Sequence, residues 1–258
     1  MKLYLKYLSI QLKSILSYKA SFLLVTINQF FTTSFSFLAV YFLFDRFGNI
    51  KGYDFSEVLL CFSTILMSFS ISECFCRGFD EFSSMISNGE FDRIMIRPSS
   101  AILQVLGSKV EFSRVGRLIQ AVIIFIYGIN TANIEWTLEK ALTLLFMIIG
   151  GIAIFSGVFL IGASICFFTT EGLEILNIFT DGGKEIAQYP LNIYEKWVVK
   201  FFTFIIPFSL VNYYPFLYII GKENKLLYMY LPLIAVLFIV PAYLFWRIGI
   251  RHYKSTGS

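Results

Sequence analysis

The sequence predicts an all-α integral membrane protein with six transmembrane helices. Three observations carry this. Of 258 residues, 57% are hydrophobic and only 15% charged, against about 25% charged in soluble domains. The apolar residues fall in long runs free of charge instead of alternating with polar ones. The lysines and arginines gather in segments that a six-span path places on one side of a membrane. The 30 phenylalanines suit lipid-facing surfaces.

Residues 1–19 form the first element. Lys2, Lys6, Ser9, Lys13 and Ser17 recur at helical spacing, with Leu5, Leu8, Leu12, Ile15 and Leu16 opposite. A helix with one basic and one apolar face lies in the membrane interface. No small-residue cleavage site follows, so it is expected to remain as a leader to the first anchor. Residues 20–254 then form a single six-span domain, and 255–258 a short tail.

The first span is Ala20 to Phe44, long enough at ~1.5 Å per residue to cross a ~30 Å core. Asn28 and Gln29 inside it are candidates to bond across helices or line a path. A polar loop (45–57) leads to the second span, about Val58 to Cys76, with Glu73 near its end. Glu73 is expected to pair with Arg77 one turn later. The charged stretch 77–117 follows. The third span is about Leu118 to Ile134. The fourth, about Ala141 to Phe168, is marked by Gly150, Gly151, Gly157 and Gly162, which permit close internal packing. The last is about Leu226 to Trp246, followed by Arg247, Arg251 and Lys254.

Thirteen of the 21 lysines and arginines lie in the leader, the 77–117 stretch and the tail, while the loops at 45–57 and 135–140 hold three. Both termini and the charged stretch are therefore expected in the cytoplasm. Residues 170–225 admit two readings. In one, 170–200 is a cytoplasmic loop and 201–220 the fifth span. In the other, 171–188 is a marginal fifth span and 189–225 a broken re-entrant pair on the outer face. Five acids (Glu171, Glu174, Asp181, Glu185, Glu195) against three lysines suit a cytoplasmic loop poorly, and Pro190, Pro207 and Pro215 suit interrupted helices. Non-helical backbone at membrane depth needs cover from protein or water.

Composition also excludes chemistry. The single histidine, His252, rules out a histidine triad or a histidine metal cluster. Cys61, Cys74, Cys76 and Cys166 lie in or beside apolar segments without a CxxC and read as buried thiols. Gly182-Gly183-Lys184 lacks the earlier glycine and the following hydroxyl of a phosphate loop. No GxSxG or HExxH occurs. The scattered bases make no nucleic-acid footprint.

The charged stretch has a shape of its own. Asp80 to Ser87 can form a short helix, which Asn88-Gly89 stops. Phe91, Ile94 and Met95 give a second short helix one apolar edge, with Asp92 and Arg93 outward. Pro98 ends it, and Ser99 or Ser100 can cap a helix from Ala101. Residue chemistry alone leaves a docking element and a well-capped loop on lipid level with each other.

The stretch "ISNGEFDRIMIRPSSAILQVLGSKV" resembles the coupling segment of type-2 ABC exporter permeases, specifically the branch with a Gly-acid-x-Asp-Arg…Arg-Pro form. Gly89, Glu90, Asp92, Arg93, Arg97 and Pro98 carry the match, and Met95-Ile96 stands where leucines are common. The later "AQYPLNIYEKWVVKFFTFIIPFSLVNYYP" is similar to the same branch in its Tyr-Pro, Ile-Pro and Tyr-Tyr-Pro steps. The resemblance spans essentially the whole chain.

It implies the membrane half of an ATP-driven exporter: a coupling helix between spans two and three, and extracellular re-entrant helices before span six. Phe91 and Ile94 would then be the apolar anchor for a separate ATPase subunit, with Gly89, Glu90, Asp92, Arg93, Arg97 and Pro98 completing the contact. Tyr189, Pro190, Pro207, Asn212, Tyr213, Tyr214 and Pro215 become the re-entrant or pathway candidates. ATP and Mg2+ would bind the ATPase, with no cofactor in this chain. A second permease, identical or related, would complete a dimer in the bacterial inner membrane. Aromatic spans with few charges point to an amphipathic or lipid-like cargo. The alternatives are a stand-alone secondary transporter or channel, which would favour an internal repeat or facing ionisable residues, and an accessory scaffold subunit.

Overall fold

A computed structural model describes residues 2–169 and 177–255. Glu171, Glu174 and the last residues of the tail lie outside them. Among the described residues every regular element is helical, apart from an isolated bridge between Ile50 and Tyr53. Five helices are long and apolar enough to cross a membrane: Lys19–Phe47, Phe55–Ser87, Phe112–Thr131, Leu138–Ile165 and Leu227–His252. A sixth candidate is a helix pair, Lys196–Phe204 and Ser209–Ile219, bent by 97°.

Helix α1 (Lys2–Ser17) turns at Tyr18 into α2 (Lys19–Phe47). The side facing the rest of the chain carries Tyr4, Tyr7, Leu8, Gln11 and Ile15, while Leu5, Leu12 and Leu16 remain exposed. The apolar stripe is thus divided between a protein contact and a free surface. Helix α2 is peripheral, burying only Thr33, Val40 and Phe44, and stops at Gly48.

Helix α3 (Phe55–Asp80) is the central post. The Glu57 carboxylate accepts from the Asp54 N–H at 3.0 Å, satisfying a free donor at its start. It packs between α7 (Val115–Thr131) and α8 (Leu138–Ile165). Small residues make the approach to α8 close: Ser68 Oγ donates to the Ile148 carbonyl at 3.1 Å and Ser72 Oγ to that of Ile152 at 3.0 Å, with Gly151 facing Ser68. On α8, Gly150 meets the Pro232 carbonyl and Gly157 meets Phe238. The glycines serve internal packing, as read from sequence.

Three short helices join α3 to α7: α4 (Phe82–Ser87), α5 (Glu90–Met95) and α6 (Ala101–Ser108). Beyond α8, a π-type turn (Ile178–Gly182) runs into α9 (Gly183–Ala187). Next come α10 (Lys196–Phe204), a π-type turn (Ser209–Tyr213) and α11 (Tyr214–Ile219). The last crossing is α12 (Leu227–Ala235), a 3-10 turn (Val236–Phe238) and α13 (Ile239–His252). Pro232 and Pro241 remove backbone donors on either side of that turn, which accounts for the tighter winding.

Residues 189–225 gather at the end of the bundle that carries the 45–57 and 135–140 loops. Lys51 Nζ donates to the carbonyls of Asn192 (3.1 Å) and Ile193 (3.2 Å). Asn192 donates to the Tyr53 hydroxyl at 2.9 Å, Lys222 to the Gly52 carbonyl at 2.7 Å, and Tyr218 to Glu139 at 2.7 Å. Between these anchors the chain dips inward, where the Phe208 ring lies 4.9 Å from Phe155 on α8. A single straight span over 201–220, as in the first sequence reading, is therefore not formed. Pro207 cannot donate, and the chain bends there instead of continuing the helix.

Candidate functional site

The stretch 77–117 builds a compact module at the opposite end from those loops. Gly89, at φ 68°, takes the left-handed conformation that breaks α4 from α5. Phe82, Phe91, Phe167, Trp246 and Tyr253 then interlock edge to face. Phe91 lies 5.0 Å from both Phe82 and Tyr253, and Phe167 lies 5.0 Å from Trp246. The Tyr253 hydroxyl donates to Asp92 at 2.9 Å, and Ser255 Oγ to the same carboxylate at 2.7 Å. Gln104 Nε2 ties α6 to the Ile94 and Ser99 carbonyls at 3.3 and 3.2 Å. On α1, Gln11 donates to the Ser108 carbonyl at 3.0 Å.

This geometry corrects part of the sequence reading. Phe91 is fully buried and Ile94 nearly so. The apolar edge of α5 packs inside the module, where Phe91 meets Phe82, Phe167 and Tyr253. Asp92 is half-buried and bound to the tail instead of facing outward. Ser100 starts α6 through its carbonyl, which accepts from the Gln104 N–H at 3.1 Å, without a side-chain cap. What remains outward is Glu90, Arg93, Met95, Ile96, Arg97 and Pro98, with Ile96 84% exposed.

Deeper in, a cluster of charges joins α2, α3 and α7. Glu73 is paired by Arg117 at 2.6 Å and Arg114 at 3.1 Å, with Arg77 at 3.9 Å. The expected Arg77 partner is thus the weakest of three. Arg77 instead pairs with Asp80 and with Glu111 at 3.0 Å. Arg117 also donates to Gln29 Oε1 at 2.9 Å, so Gln29 does bond across helices, and its guanidinium lies 5.3 Å from the Phe69 ring centre. Glu73, Arg114 and Arg117 are each over nine-tenths buried. Their mutual pairing is what makes such burial tolerable. The i, i+3 spacing of Glu111, Arg114 and Arg117, aligned with Gln29 and Glu73, was the signal that sequence reading passed over.

Beside this cluster is a cavity of about 650 Å³, reaching from Phe69 and Phe159 to Asp80, Glu81 and Ser84. The re-entrant and pathway candidates lie elsewhere. Asn212 is fully buried and donates to the Ala187 carbonyl and, at 3.4 Å, to that of Tyr189. The Tyr213 and Tyr214 rings lie 5.1 Å apart and tilted by 56°, and Pro215 lies in the first turn of α11. Pro190 precedes the short turn Leu191–Ile193, and Pro207 sits at the bend. Among the described residues no cluster of metal-ligating side chains occurs.

Long apolar helices around a buried cluster of ion pairs define a multi-pass helical membrane protein with a folded polar module at one end. A family model described as ABC-2 family transporter protein matches residues 7–257. The chain belongs to that family and is an ABC-2-type permease. No curated protein and no solved structure matches it. Membrane proteins of this family are transport subunits that work with ABC ATPase subunits as a general kind of partner.

Proposed function

We propose that this chain is the permease of an exporter driven by a separate ATPase subunit, which docks on the outward face of Glu90–Pro98. One observation carries the reading. Ile96 stands 84% exposed, beside Arg93 and Arg97, on a module whose inner face is fixed to the permease by Phe91 and Asp92. An exposed apolar step, Met95–Ile96, with charged neighbours suits insertion into a partner pocket. A rigid inner face lets movement of that partner reach the spans.

In this reading both termini and the module face the cytoplasm of a bacterium. The fifth crossing, expected at 171–188, lies only partly within the described residues, and α10 with α11 forms a re-entrant pair on the outer side. The contacts of residues 189–225 with the 45–57 and 135–140 loops support that placement. A second permease copy, or a related one, completes the complex. ATP and Mg2+ belong to the ATPase. The cargo is an amphipathic or lipid-like molecule leaving the cytoplasm.

The four native thiols are buried, so Ile96→Cys adds one accessible thiol. In membranes containing the ATPase subunit, a short bifunctional reagent should join the two chains through it. Absence of a cross-link at position 96, with the subunit present and active, contradicts the docking assignment.

A further inference from the structure

We propose that the cleft between the start of α6 and the end of α13 binds one anionic phospholipid from the leaflet on the module's side, and that this lipid ties the module to the last span. The proposal goes beyond the exporter reading and does not depend on it. The cleft holds about 310 Å³, at the small end of ligand-site size, which is room for a headgroup but not for a whole lipid. Ser100, Ala101 and Ile102 line one side of it, and Tyr243, Arg247, Ile250 and Arg251 the other.

Two features name the ligand. The first is uncompensated charge. Arg247 and Arg251 stand one turn apart on α13, both exposed, and the described lining of the cleft carries no carboxylate. Among the described residues the arginine ion pairs are those of Arg77, Arg114 and Arg117. The Asp92 carboxylate on α5 is taken by Tyr253 and Ser255. Two free guanidinium groups lining one space suit the oxygens of a phosphate, which can accept from both. The exposed Ser100 hydroxyl adds a donor on the facing side.

The second feature is the apolar track that leads to the arginines. Val240 and Tyr243 precede Arg247 at helical spacing on the last span, and they are 53% and 43% exposed. An acyl chain can lie along them while its phosphate reaches Arg247 and Arg251. That continuity selects a lipid over a free phosphate or an acidic peptide, neither of which needs the track. Basic clefts at the membrane edge hold anionic headgroups by the same combination. A lipid bound there bridges α6 to α13, beside the Tyr253–Asp92 bond that already joins α5 to the end of the chain.

The test is native mass spectrometry of the full chain in mild detergent, titrated with phosphatidylglycerol or phosphatidylcholine of equal acyl chains. One phosphatidylglycerol should bind in preference to phosphatidylcholine. Arg247→Gln combined with Arg251→Gln should weaken phosphatidylglycerol about tenfold and leave phosphatidylcholine as it was. Ser100→Trp, an exposed change that fills the cleft and keeps the net charge, should weaken phosphatidylglycerol too. Lys13→Gln combined with Lys19→Gln removes the same charge from exposed positions near the other end of the chain and should have no effect. An equal loss in the lysine pair would mean diffuse attraction to a basic surface, and unchanged binding in the arginine pair would mean no site; either overturns the proposal. So does displacement of the lipid by inorganic phosphate or by the ATPase subunit, which would assign the arginines to another anion.

Discussion

The Tyr253 hydroxyl, one residue beyond the last span, donates to the Asp92 carboxylate on α5 at 2.9 Å. It joins residues 161 positions apart and fastens the module between spans two and three to the end of the chain. Together with the Phe91–Tyr253 ring contact at 5.0 Å, it makes α5 and α13 one mechanical unit.

Removing only the hydroxyl isolates that bond. Tyr253→Phe keeps the ring packing and should cost about 1 kcal/mol, the scale of a partly solvated hydrogen bond to a charged group. Hydrogen exchange should quicken in Glu90–Met95 and stay as in the parent across α7. Unchanged exchange in α5 would show that the bond does not hold the module.

The same bond has a pH signature. Burial and the hydrogen bond to Asp92 push the Tyr253 phenol up to about 12, above its ordinary 10.0. The fold thus favours the neutral phenol. Its contribution is full below pH ~10 and is lost as pH rises through ~12. Protection of α5 should hold through neutral pH and fall only within that alkaline window, and Tyr253→Phe should abolish the dependence.

Phe91 and Ile96 should behave oppositely although they are five residues apart. Phe91→Ala opens a cavity in the aromatic cluster and should cost about 3–5 kcal/mol, seen as a large fall in thermal stability. Ile96→Asp changes an exposed site and should leave the melting temperature within error.

The Glu73 cluster should show the asymmetry of buried ion pairs. Glu73→Ala leaves Arg114 and Arg117 buried without their main partner and should cost about 3–5 kcal/mol. Glu73→Gln keeps the shape and one acceptor oxygen, while its NH2 faces the other arginine, and should cost less than Glu73→Ala, by unfolding in graded denaturing detergent.

Much of this fold was legible. Charge-free runs located five spans, because a bilayer demands unbroken apolar helices, although the second runs on past Cys76 to Ser87 and the last past Trp246 to His252. Gly89 and Pro98 correctly bounded α5. The direction of its apolar edge was not legible: Phe91 and Ile94 share a face in any helix, but only the positions of Phe167, Trp246 and Tyr253 decide what covers it. Glu73 was matched to its nearest neighbour in sequence, whereas the packing of α7 along α3 brings Arg117 within 2.6 Å, and close approach at Gly116, where a β-carbon would overlap the Thr26 carbonyl of α2, sets Arg117 beside Gln29. Hydropathy likewise treated 201–220 as uniform, while the bend at Pro207 depends on anchors such as Lys51 and Glu139.

The most direct measurement is the amount of ATPase subunit that co-purifies with the permease from detergent-solubilised membranes. The account predicts about one ATPase subunit per wild-type chain, and at least a tenfold loss for Ile96→Asp with the permease still folded. An Ile96→Asp chain that retains the subunit at the wild-type ratio, or a wild-type chain that transports without one, would contradict it.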